Sequence, residues 1–263
     1  MPSLSARPLG GIPAVRAGDD LAALILSALG GEPLRGGQVV VIAHTVVSKA
    51  EGAVVAMAGV TPGERAHALA EQQGRDARAV QVILDESAEV LRAENGVLIS
   101  RTRHGFVCAN AGVDESNASD PGTLIVLPRD PDASARRIRA RLRALGARGA
   151  TGDAAGAGGA APAVLISDSF GRAWRHGQVD VAVGLAGLQP LDDWRGRTDA
   201  SGLRLNATWL AVADAAAAAA DLTRSKDSHE PVVILDGLER FVTVEDGPGA
   251  AALLRPLEQD LFR

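Results

Sequence analysis

Residues 38–43 read QVVVIA, and the interpretation of this run sets the fold class. Val39, Val40, Val41 and Ile42 are β-branched and follow one another without polar alternation. Such a run reads as a short strand covered on both faces. Two further runs have the same character, AVLIS at residues 163–167 and PVVIL at residues 231–235. Weaker strand patterns lie at residues 97–101, 105–109 and 124–127. Helical periodicity separates them. Residues 19–29 put Leu21, Leu24, Ile25, Ala28 and Leu29 on one face, and Gly30 and Gly31 end the pattern. Residues 63–73 read as a helix. So do residues 76–91, where Val80, Ile83, Leu84, Ala88 and Leu91 recur at helical spacing. Asp130, Pro131 and Asp132 open another helix that runs to about Gly146, with proline in the first turn and acids at its positive end. Residues 206–222 are alanine-rich and read as a helix capped by Asn206. The tail, residues 250–263, reads as a short helix. Strands and helices intermix without a repeat period, so the expected class is α/β (α+β) with a mixed sheet.

Composition narrows the function. Apolar residues make up 46% of the 263, enough for a folded core, and with no Tyr and few Phe or Trp that core must be aliphatic. Trp174, Trp194 and Trp209 read as core anchors in preference to stacking platforms for a flavin-like ring. The net charge of −5 opposes duplex nucleic acid, and the basic residues at 136–148 fit a solvated helix face. One cysteine, Cys108, excludes an intrachain disulfide and a cysteine-rich zinc site. No secretory leader or membrane span is legible, which predicts a cytoplasmic protein. Residues 147–161 are mostly Ala and Gly and read as a flexible insert in a single domain covering residues 1–263.

Three polar segments carry candidate chemistry. In RTRHGFVCANAGVDESN, residues 101–117, Asp114 and Asn117 sit three apart on a turn, as a shared site for a hard cation and a phosphate would require. An Asx-turn that only satisfies the backbone is the plain alternative. Asp168 and Ser169 follow the AVLIS run, where a strand's carboxyl end commonly faces a ligand; a cap or turn is the alternative. The same place approximates a nucleophile elbow, which would make Ser169 a hydrolase serine with His176 or His229 as partner. In HTVVSKAEG, residues 44–52, Lys49 and the hydroxyls of Thr45 and Ser48 suit phosphates, against a solvated lysine paired to Glu51. His104 and Cys108 lack a second pair and do not make a zinc site.

Taken in order, GGIPAVRAGDDLA, VVSKAEG, VQVILDESAEVLR, RTRHGFVCANAGVDESN, LPRDPDASARRIR, ISDSFGRAWRHGQVDVAVGLAGLQPLDDWRG and RPLEQDLFR span nearly the whole chain. Together they resemble the coenzyme F420:L-glutamate ligase family. The resemblance implies a homodimeric α/β enzyme that uses GTP to join L-glutamate to F420-0, and then adds further γ-linked glutamates. It implies two divalent ions, Mg²⁺ or Mn²⁺, at Asp114, Asp168 and Ser169, with Asp114 and Asp168 catalytic, and K⁺ as a further cofactor. It implies nucleotide contacts at Gly10, Gly11, Ile12, Pro13, His44, Thr45, Lys49, Asn117, Arg224, Ser225 and Lys226. Relatives commonly have Met-Gly-Lys or Met-Gly-Gln where this chain has Arg224-Ser225-Lys226, and the ammonium of Lys226 has no lone pair for a metal. Some relatives carry a C-terminal flavin-binding domain, which is not expected here. The alternatives are a serine hydrolase acting through Ser169 and a non-catalytic protein that binds F420 or nucleotide.

Overall fold

A computed structural model describes residues 3–115, 121–146, 161–225 and 227–260. Most of the expected insert at residues 147–161, together with Ser116, Asn117 and Lys226, lies outside them. In chain order the elements are β1 (Ser5–Leu9), α1 (Leu21–Ala28), β2 (Val39–Ala43), α2 (His44–Ala50), β3 (Val54–Ala56), α3 (Glu64–Gln73), α4 (Ala77–Glu86) and β4 (Ser87–Glu94). They continue with β5 (Val97–Thr102), β6 (Val107–Ala109), β7 (Thr123–Ile125), α5 (Pro131–Ala144), β8 (Ala163–Arg172), β9 (Arg175–Ala186), β10 (Leu191–Asp193), β11 (Trp209–Ala211), α6 (Val212–Asp221) and β12 (Val232–Asp236).

The main sheet has the order β1-β12-β2-β8-β9. Only the β2–β8 pair is parallel; the other three pairings are antiparallel, so the sheet is mixed as expected. Its strands alternate between two cores. Val40, Ile42, Val164, Ile166, Val232 and Ile234 face α1 and α5, while Val39, Val41, Ala163, Leu165, Val233 and Leu235 face the alanines of α6. Burial on both faces is why these strands are continuous apolar runs. The chain between β2 and β8 builds a second region, a β4-β5-β6 sheet backed by α3 and α4.

Several boundaries differ from the sequence reading. The helix expected over residues 76–91 stops at Glu86. Ser87 adopts extended backbone and its hydroxyl donates to the Ile83 carbonyl at 2.6 Å. The following residues join a hairpin whose turn is Asn95-Gly96, both at positive φ, the conformation that this dipeptide favours. Residues 209–211 pair with β10, so α6 begins only at Val212 and Asn206 is not its cap. β8 continues past Ser167 to Arg172, because β9 pairs with it along its length. The tail forms two 3₁₀ turns, at Ala250–Leu253 and Leu257–Gln259, within its described part.

Candidate functional site

Strand direction brings the polar segments together. β1, β2 and β8 run the same way, so the segments after β1 and after β2 leave the sheet at one edge, the edge at which β12 enters. Gly10–Pro13 follows β1, His44–Lys49 follows β2, and residues 224–231 precede β12. The Ala43 amide donates to the Pro231 carbonyl at 2.9 Å, which ties two of these segments directly. Gly10 lies close to Glu230, at a distance where an added Cβ would sit 3.8 Å from its carboxylate. Gly11 holds φ at +82°, a left-handed conformation suited to glycine. At this edge Ala43 pairs with Ser167, so His44 comes level with Asp168.

His44 is 3% exposed, and its Nε2 lies 3.3 Å from Oδ1 of Asp168. Burial disfavours a charged imidazole, yet Asp168, Asp114 and Asp180 outweigh it and raise the pKa above the ordinary value. Of these acids Asp168 is the one in contact with the imidazole, and Asp114 and Asp180 act on it through their charge. Asp114 is held by a backbone bridge to Ile125, with 2.9 Å bonds in both directions. The tight turn before it, with Asn110, Ala111 and Gly112 all at positive φ, packs against β8: an added Cβ on Gly112 would lie 3.4 Å from Oδ2 of Asp168. Burial lowers the pKa of Lys49, with Asp114 pulling the other way, while Glu51 takes Arg137 at 2.6 Å. The solvated Lys49–Glu51 pair is therefore not the arrangement adopted. Burial, reinforced by Asp168, pushes the Cys108 thiol up to about 12 and keeps it protonated.

Asp168 and Ser169 do not share a surface. Ser167 and Ser169 both donate to Asp180, at 2.8 and 2.6 Å, so they lie on one face of β8 and Asp168 lies on the other. The Ser169 hydroxyl is thus turned to Asp180, while its backbone amide donates to Oδ1 of Asp168 at 2.7 Å. Ser169 also sits within a strand, without the strand-to-helix turn of a nucleophile elbow, which removes the geometric basis of the hydrolase reading. Arg224 is turned inward. It pairs with Asp180, donates to Ser167 Oγ at 2.9 Å and to the Pro231 carbonyl at 3.2 Å. Ser225 remains exposed at the same edge. Asp180 is absent from the residues singled out by sequence, although it is 2% exposed. Its signal was an isolated acid within the alternating apolar strand at residues 179–183.

The donor set fits a hard cation in a specific way. Among the described residues, no group of three His, Cys, Asp or Glu side chains is placed to hold a metal. Two convergent carboxylates are nonetheless what Mg²⁺ commonly uses when phosphates and water complete its shell. His104 instead lies against the Pro128 and Arg129 carbonyls at 3.0 and 3.2 Å. No helix among the described residues is long and apolar enough to cross a membrane.

Comparison with known proteins places the chain in a family. Residues 11–237 match the model of the F420-0:Gamma-glutamyl ligase family. The coenzyme F420:L-glutamate ligase of Methanothermobacter thermautotrophicus is 47% identical over 96% of each chain. That of Methanopyrus kandleri is 43% identical over 100% of this chain and 99% of its own. That of Halorubrum lacusprofundi is 38% identical over 96% of this chain and 93% of its own. With a match of this extent, the chain belongs to the F420-0:Gamma-glutamyl ligase family.

Proposed function

We propose that the protein joins L-glutamate to F420-0 at the expense of GTP, through an acyl phosphate. The observation that supports this reading is the close approach of the turn before Asp114 to Asp168, next to the sheet edge where the segments after β1 and β2 and before β12 meet. Amide formation between a carboxylate and an amine runs uphill in water, so the carboxylate needs a leaving group. In the proposed first step an F420-0 carboxylate oxygen attacks the γ-phosphorus of GTP and GDP leaves. The glutamate amine then attacks the acyl carbon, expels phosphate and loses a proton.

The chain's contribution is positioning and charge balance, as in other phosphoryl transfers. Asp114 and Asp168 would hold divalent metal, Mg²⁺ or Mn²⁺, which when bound neutralises phosphate charge. Lys49 adds a cation beside Asp114, and the backbone of residues 10–13 offers a surface for the nucleotide. His44 buttresses Asp168 from the interior and fixes the direction of its carboxylate.

Incubation with F420-0, GTP, Mn²⁺ and L-glutamate, read by mass spectrometry, should show one or more added glutamyl units. Asp114→Ala should lower that rate by about 100-fold or more with the fold intact by circular dichroism. Near-normal turnover by that variant would refute the metal role. Binding of F420-0 without any glutamyl product would favour the non-catalytic alternative.

A further inference from the structure

Beyond the sheet edge β8 and β9 continue as a two-stranded ribbon, and residues 171–178 at its end are all exposed. None of the three tryptophans became a core anchor. Trp174, at the ribbon's turn, is the most exposed of them at 83%, and Trp209 and Trp194 lie under Arg195 and Arg197. Trp174 also holds φ at +59°. Glycine or asparagine takes that conformation at little cost, whereas a bulky side chain there is strained, and such strain concentrates at ligand clamps. The turn is fastened by Arg172, which donates to the His176 carbonyl at 2.7 Å across the hairpin. Arg172, Arg175 and His176 flank the indole, and no acid occurs between Ser169 and Val179, in a chain whose net charge is −5. On β8, Asp168 and Phe170 share one face by alternation; the pairing with β9 becomes irregular between Gly171 and Arg172, and the strand covers about 13 Å from Asp168 to Arg172 at the turn. Phe170 packs edge-on against Phe106 at 6.2 Å and lies midway along that stretch.

We propose that this ribbon is the arm that holds the acceptor, with Trp174 stacking on a planar flavin-like ring and Arg172 and Arg175 meeting the anionic tail. The inference rests on the ligase reading above, because it takes the acceptor to be F420-0, a flavin-like ring joined through a phosphodiester to a carboxylate. With the carboxylate at Asp168, β8 leads its ring outward to the indole. A stacking face and two guanidinium groups form a recognition set for a flat anion.

The test uses the full chain and its variants Trp174→Ala and Trp174→Phe. Trp174→Ala should raise KM for F420-0 about tenfold or more, the scale of one lost ring stack. KM for GTP and for glutamate should stay within about twofold, and Trp174→Phe should recover most of the loss. An unchanged KM for F420-0 overturns the proposal. So does an equal loss for all three substrates with a changed sedimentation coefficient, which would make the ribbon a contact between subunits. Equilibrium dialysis of F420-0 separates this inference from the reading beneath it. If the wild type forms no glutamyl product but binds F420-0 and Trp174→Ala does not, the arm stands and the ligase reading falls. If the wild type forms product and both proteins bind equally, the arm falls alone.

Discussion

At the residue scale, the two faces of β8 divide the work. Asp168 meets His44 on one side, and Ser167 and Ser169 point toward Asp180 and Arg224 on the other. The Asp180–Arg224 pair is almost dry, with Asp180 2% exposed. Buried pairs add little net stability, but removing one partner strands the other charge in a low-dielectric interior. Asp180→Asn should therefore lower unfolding free energy by about 3 kcal/mol in urea denaturation. It should also loosen the chain before β12, since Arg224 bonds the Pro231 carbonyl as well. A variant as stable as wild type would show that the guanidinium finds another partner. Asp114 and Asp168 were legible in the sequence as oxygen donors, and their pairing was expected from the resemblance; the turn at residues 110–112 that packs against β8 was not legible. Asp180 was illegible because its chemistry lies across a strand pairing that only the fold reveals.

At the element scale, the apolar runs of β2, β8 and β12 were readable because burial on both faces leaves no polar alternation to misread. Long helices α1, α3 and α5 were readable for the complementary reason, each with a cap or stop residue. Asp20 accepts from the Ala23 amide, Gly74 turns left-handed at φ +64°, and Asp130 accepts from the Ala133 amide. The misplaced boundaries, at Ser87 and at Val212, are both sites where strand pairing overrides helical periodicity. α6 is also tied down at its start: Asp214 accepts from the Ala182 amide of β9 at 3.0 Å. Burial raises the pKa of this carboxyl, opposed by the same hydrogen bond. The folded state then holds a proton that the unfolded chain has already released, so stability falls as pH rises from the ordinary carboxylate range through the raised value. Asp214→Asn keeps the acceptor and cannot ionise. Its urea midpoint relative to wild type should improve steadily across that window and level off above it. Parallel pH profiles for the two proteins would place the charge elsewhere.

At the scale of the whole molecule, three segments separated by most of the chain meet at one sheet edge because β12 pairs antiparallel with both β1 and β2, and the single parallel pairing sets Asp168 beside them. The chain between β2 and β8 includes the second region and the bridge to β7 that holds Asp114. That topology joins the proposed nucleotide surface to the proposed metal carboxylates, so the two ligands should report on each other. GTP alone would place triphosphate charge against Asp114 and Asp168, an unfavourable contact in a half-buried setting. A divalent cation removes that repulsion, and a ligand at 100 times its dissociation constant stabilises the fold by about 2.7 kcal/mol. In a thermal melt, GTP with Mg²⁺ should raise Tm by about 5 °C or more. GTP with a chelator should raise it far less. Asp114→Ala should remove the Mg²⁺-dependent part of the shift, each melt being read against the same variant without ligand. A shift that survives the chelator, or one that Asp114→Ala leaves whole, would uncouple nucleotide from carboxylates and separate the two halves of the edge.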